Sequence, residues 1–223
     1  MPIHLHRELE KLKKRILSLG VLVEERVRMV IKALEMRDAD LAHKIIKSDY
    51  EIDELEVDVD EECLKVLALH QPVAVDLRFL VAVIKINNDL ERIADEAVNI
   101  AQRVEVLAKR ERLDVPFNYS LMAEKSESML KKSLDALVNM DEDLALYVCT
   151  LDDEVDNMLS EAYDVIKNAI KEHPDRVAYL INLLLCSRHL ERIADHATNI
   201  AEEVVYMAEG EIVRHGKGAL GFG

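Results

Sequence analysis

Tryptophan is missing from this 223-residue chain, and the whole aromatic content is 4%. Glycine is scarce, with six residues of which five lie between Gly210 and Gly223, and there are only four prolines. So little turn chemistry excludes a many-stranded β-protein. Three cysteines, Cys63, Cys149 and Cys186, are odd in number and far apart with no C-x-x-C pair. A disulfide framework and a thiolate zinc site are thereby excluded, and a reducing, cytoplasmic setting is expected. No apolar run reaches the 18 or so residues that span a bilayer. The charged start MPIHLHRELEKLKK has no apolar core of a signal peptide. Positive charge is also short: 29 basic against 44 acidic side chains leave a formal net charge of -15. Phosphate backbones are gripped by basic surfaces, so no nucleic-acid partner is expected.

Half of the residues are apolar, and their spacing is helical. Leu9, Leu12, Ile16, Leu19, Val23, Val27, Val30 and Leu34 recur at steps of three and four, and Leu41, Ile45, Ile52, Leu55, Val59 and Val66 at steps of three, four and seven. That pattern marks one buried face of a helix packed on other helices. With Pro72, Pro116 and Pro174 as boundaries, it predicts six helices near 5–36, 39–70, 73–109, 118–140, 142–172 and 174–209. The stretch 109–118 interrupts the apolar pattern and reads as a linker between a first unit, 1–110, and a second, 117–209. Residues 210–223 read as a flexible tail.

The second half repeats the first. DADLAHKIIKSDYEID (38–53) aligns with DEDLALYVCTLDDEVD (141–156), and DLERIADEAVNIA (89–101) with HLERIADHATNIA (189–201), the latter with ten of thirteen residues identical. An all-α fold of two tandem three-helix bundles follows.

Glu91, Asp95 and Asn99 are spaced by four and share one stripe of their helix, as do Glu191, Asp195 and Asn199. Each stripe continues an apolar seam that turns polar partway along. Folding each half back at its proline sets Asp53 opposite Glu91 and Asp49 opposite Asp95. In the second half it sets Asp156 opposite Glu191 and Asp152 opposite Asp195. Four carboxylates at close range need a cation, and hard oxygen ligands suit a multivalent metal ion. Asn99 and Asn199 would complete the two sets. The plainer alternative is a solvated acidic face with its carboxylates paired to Arg92 and Arg192. Repetition of the pattern with matched partners in both halves favours the metal. His189 and His196 read as surface residues, the basic run from Arg7 to Arg15 as exposed helix, and the cysteines as core. None of the eight histidines follows a glutamate by three residues, and no nucleophile motif is present, which speaks against an oxidase or hydrolase.

QPVAVDLRFLVAVIKINNDLERIADEAVNIA (71–101) and LLLCSRHLERIADHATNIAEEVVYMAEGEIVRH (183–215) closely resemble the PhoU family of phosphate-uptake regulators. The resemblance covers nearly the whole chain in the same two-repeat order. It implies a cytoplasmic, non-enzymatic protein, a homodimer, that negatively regulates the phosphate regulon. Its implied partners are the phosphate-specific ABC transporter and a phosphate-sensing histidine kinase. It also implies multinuclear metal clusters (Fe, Zn, Mn or Mg) on the E-x-x-x-D motifs, here Glu91, Asp95, Glu191 and Asp195, with Asp49, Asp53, Asp152 and Asp156 as the acids of the preceding helices. One internal departure is Asn88, whose counterpart is Arg188, a cation beside the second set.

Overall fold

The computed structural model describes residues 3–209; the expected tail, 210–223, lies outside them. Every regular element among the described residues is helical: α1 (Ile3–Met36), α2 (Ala39–Lys47), α3 (Tyr50–His70), α4 (Val75–Ala108), α5 (Tyr119–Asn139), α6 (Glu142–Glu172), a 3-10 turn (Pro174–Arg176) and α7 (Val177–Glu209). These follow the six predicted segments closely. The second segment is interrupted for one turn at Ser48–Asp49, which divides it into α2 and α3.

A specific side chain holds that interruption. Arg26 projects from α1 and is almost fully buried. Its guanidinium donates to the carbonyls of Ile45 (2.9 Å) and Ser48 (3.2 Å) and to the Ser48 hydroxyl, and it lies 3.6 Å from Glu51. The carbonyls freed where the helix breaks thus find donors inside the protein, as buried backbone must. Asp49 consequently stands at the N-cap of α3.

The helix ends show the duplication as clearly as the motifs do. Asp38 and Asp141 occupy equivalent positions, and each carboxylate accepts from a backbone N–H of the helix it starts, Leu41 and Leu144. The preceding residues, Arg37 and Met140, both have φ 53°. In each case the following N–H closes back onto the helix, Asp38 onto the Ala33 carbonyl and Asp141 onto that of Ala136. This is a left-handed helix stop made without glycine.

The predicted apolar faces are the core. Leu12, Ile16, Leu19, Val23, Val27 and Val30 of α1 are buried, and so are Ile52, Val59 and Val66 of α3. Cys63 and Cys186 are buried as well, and burial pushes both thiols up to about 12. One continuous cluster runs through both halves. The most extensive helix–helix contact is between α4 and α7, one from each half. The expected linker is strapped down: Leu113, Val115 and Phe117 pack against the core, while Arg37 and Arg176 flank the Tyr179 ring and donate to carbonyls at the end of α4 and in the strap.

Replacing Arg26 by leucine keeps the apolar stem but removes the guanidinium donors to the Ile45 and Ser48 carbonyls at the α2–α3 break. We expect a loss of about 2–3 kcal/mol, read as a fall of roughly 4–10 °C in the thermal midpoint. An unchanged midpoint would show that solvent satisfies those carbonyls equally well.

Candidate metal centres

Two acidic clusters form where α3 meets α4 and where α6 meets α7. In the first, the charges of Asp53 and Asp95 act on Asp49, and Glu91 lies within reach of Asp95, Glu56 and Asp53. Pairing of the helices about Pro72 therefore brings together the acids expected from the sequence. Glu56 joins them, an addition that sequence spacing did not single out. It lies one turn beyond Asp53 on α3, and the nearby buried Asn87 donates to the Glu56 carbonyl (2.9 Å) and to Asp60 (3.0 Å).

In the second cluster, ligand oxygens of Asp152, Asp156 and Asp195 all lie within 4.8 Å of one another. Glu191 feels the charges of Asp195, Asp156 and Asp152. The Thr198 hydroxyl donates to Asp152 (3.2 Å), where the first repeat has Val98 and makes no such bond. Arg188, the departure noted in the sequence, does place its positive charge near Glu191.

The electrostatics of both clusters follow from burial and crowding. Burial raises Glu91 above the ordinary carboxylate range, and the neighbouring Asp95 adds to it. Asp49, Glu56 and Asp95 are raised chiefly by burial too, with Arg92 opposing the rise at Asp95. The effect is larger in the second cluster. Burial and the charge of Asp195 push Glu191 up to about 7, and burial with Asp152 and Asp156 pushes Asp195 up to about 6. Asp49 Oδ1 is buried and accepts no hydrogen bond, and buried Glu91 Oε2 accepts none either, with only an ion-pair contact to Arg92 at 3.5 Å. Acceptor-only oxygens short of donors, beside further carboxylates, are a ligand set that fits a hard cation.

The arginines do not share one role. Arg92 stays on its own cluster, 3.5 Å from Glu91 and 3.6 Å from Asp95. Arg192 reaches across to Glu96 of the other repeat, at 3.0 Å. The solvated-face alternative thus describes Arg92 and misplaces Arg192. Asn99 and Asn199 bond to carboxylates of the α4–α7 seam, Glu96 (3.4 Å) and Asp89 (3.1 Å) respectively.

His189 and His196 were expected on the surface, and the structure corrects this. Both are largely buried in the seam, where His189 Nδ1 lies 2.6 Å from Glu96 and His196 Nδ1 lies 2.8 Å from Asp89. A lone histidine on a helix carries no sequence signal of its partner, because both partners come from the other half of the chain. Burial alone would raise Glu96, but the His189 hydrogen bond and the Arg192 charge overcome it and hold Glu96 below the usual range. An ionised carboxylate only accepts, so each Nδ1 carries the proton in these bonds.

Two helical repeats, each with an acid cluster between its last two long helices, define a class of duplicated helical-bundle proteins. The PhoU-domain family model matches residues 16–104 and again residues 119–204. Among curated proteins, the phosphate-specific transport system accessory protein PhoU homolog of Aquifex aeolicus is 38% identical, covering 95% of this chain and 96% of the relative. The homolog of the same name from Pseudomonas aeruginosa is 37% identical, covering 93% and 86%. The crystal structure of PhoU from Pseudomonas aeruginosa superposes with a TM-score of 0.88 at 36% identity, over 92% of this chain and 99% of that one. The chain belongs to the PhoU family.

The raised acids make a pH prediction. Their folded values lie above their ordinary values of 4.5 and 3.8, so the stability that Glu191 and Asp195 contribute is full below about pH 4 and is lost as pH rises through 6 and 7. With chelator present, the protein should be more stable to unfolding at pH 5.5 than at pH 8, by on the order of 2 kcal/mol after allowance for solvent screening. The double substitution Glu191→Gln/Asp195→Asn should flatten that slope. A slope that survives it would place the strain elsewhere.

Proposed function

We propose that this protein is an accessory component of a phosphate-specific transport system that binds metal ions in its two acidic clusters and acts through protein contacts. The transport role follows from the family, whose relatives carry that name across nearly the full length of the chain. The metal reading rests on one observation: the same carboxylate pattern recurs at equivalent places in both repeats, closing to 4.8 Å among Asp152, Asp156 and Asp195.

Asp152, Asp156, Glu191 and Asp195 would hold the second ion or ions, and Asp49, Asp53, Glu91 and Asp95 the first, with Glu56 at its edge. A bound multivalent cation supplies charge neutralisation. The residues themselves do the rest. Thr198 orients Asp152, Asn87 ties α4 to the Glu56 turn, and Arg26 fixes where Asp49 starts its helix. Neutralising the clusters removes the like-charge repulsion that pushes α3 from α4 and α6 from α7. The outer faces of the two bundles then become one rigid surface for a partner. We place this action in the cytoplasm, as negative regulation of phosphate import and of the phosphate regulon. The transporter and its phosphate-sensing kinase are the partners, and the working form is a homodimer. No helix among the described residues is long and apolar enough to cross a membrane.

Elemental analysis of freshly purified protein tests the reading. Wild type should carry Fe, Zn, Mn or Mg in at least stoichiometric amount, and Asp152→Asn/Asp156→Asn/Asp195→Asn should lose the share belonging to the second cluster. A metal content equal in the two proteins, or no metal that survives desalting, would reject it.

A further inference from the structure

The α4–α7 seam has approximate two-fold symmetry. The counterpart of Asp89 in the second repeat is His189, and the counterpart of Glu96 is His196. The contacts Asp89–His196 and Glu96–His189 are therefore one contact made twice, once from each side. The thirteen-residue motifs that carry these residues differ at only three positions. Two of those three are the positions that touch across the seam, and at both an acid in the first repeat becomes a histidine in the second.

We propose that these four residues are a recognition code by which the third helix of each repeat accepts the other repeat and rejects its own kind. The surface formed by Asp89 and Glu96 fits a helix of this same motif bearing histidine at the two matching positions. Two first-type repeats joined through this surface would set Asp89 on Glu96 twice, with acceptors facing acceptors. Two second-type repeats would set His189 on His196 twice, leaving both rings without an anion and bringing Arg192 against a histidine. Only the mixed pair sets each of the two acids on a histidine and neither on a second acid.

Asn199 gives Asp89 a second donor, and Arg192 and Asn99 add donors to Glu96; these residue types are the same in both repeats and favour neither pairing. One neighbouring pair does reinforce the choice, because its counterparts are Leu185 and Arg103. Lys85 of the first repeat meets Glu203 of the second at 2.8 and 3.0 Å. Truncating one member of a buried charged pair strands the other, which is how such contacts exclude wrong partners while adding modest affinity to the right one. The code involves no metal, and its test is made in chelator so that its outcome is separate from that of the metal reading.

The test is a charge exchange within the full-length chain. His189→Asp/His196→Glu makes the seam all acid, and Asp89→His/Glu96→His makes it all histidine. Each double variant should melt roughly 10 °C below wild type. The fourfold variant, which exchanges the code between the repeats, should recover most of that loss, with Arg92 replacing Arg192 as the arginine that crosses. A fourfold variant that melts no higher than the doubles, or doubles that melt with wild type, would overturn the proposal. A shape-preserving cycle checks the contact in a milder background. Glu96→Gln and His189→Gln together should cost little more than either alone, whereas strictly additive losses would show that the two residues do not recognise each other.

Discussion

A carboxylate sealed inside a helix–helix contact has to be given donors, and Glu96, only 3% exposed, is that group here. Two of its donors, His189 and Arg192, come from the other half of the chain, and Asn99 of its own helix adds a third. The matching contact, Asp89 with His196, lies two turns away along the same pair of helices. Two polar contacts at a fixed separation, embedded among buried Ile93, Ala97, Ile193 and Ala197, leave α4 and α7 one antiparallel register. Sliding either helix by a turn would bury both carboxylates against alkyl groups. That register turns the second seam of each long helix outward, α4 toward α3 and α7 toward α6, where the acid clusters form.

The clusters themselves work against folding. Carboxylates are gathered in partly desolvated places, and their raised proton affinities measure the cost of ionising them there. A protein serving only to pack helices gains nothing from this arrangement, and a leucine seam of the kind that precedes it would be more stable. Its presence in both repeats is a local sacrifice of stability of the sort functional sites make. The two clusters are not copies. The first keeps Arg92 within ion-pair distance, while the second is supported by Thr198 and faces the charge of Arg188. Divergence after duplication has therefore altered the charge around each site while leaving the E-R-I-A-D framework intact.

Much of this was legible in the amino-acid order. The steps of three and four between Leu9 and Leu34 gave α1 its buried face, and the prolines marked the hairpins. Those hairpins set Asp49 opposite Asp95, Asp53 opposite Glu91, Asp152 opposite Asp195 and Asp156 opposite Glu191, and in the fold each of these pairs lies close enough for its charges to interact. Such inferences succeed because they rest on helical periodicity and on antiparallel neighbours joined by a short turn, both local properties of the chain. The break at Ser48–Asp49 was not legible. It depends on a guanidinium from α1, and nothing in KIIKSDYEID by itself ends a helix. Glu56 escaped notice for a related reason: it is one acid in a run of many, and only the approach of α4 separates it from its solvated neighbours.

The sequence by itself determined the helical class, the duplication, the core-facing residues and the acids that each hairpin would gather. Every one of these follows from spacing within about a hundred residues of continuous chain. Tertiary structure alone decided how the two repeats meet. That meeting gave His189 and His196 their partners, brought Arg192 onto Glu96 of the other repeat, and made Glu96 a buried anion in place of a surface glutamate. Such choices depend on which side chains share a low-dielectric seam. Spacing along one helix carries no information about the charge that another helix, some hundred residues away, will bring against it.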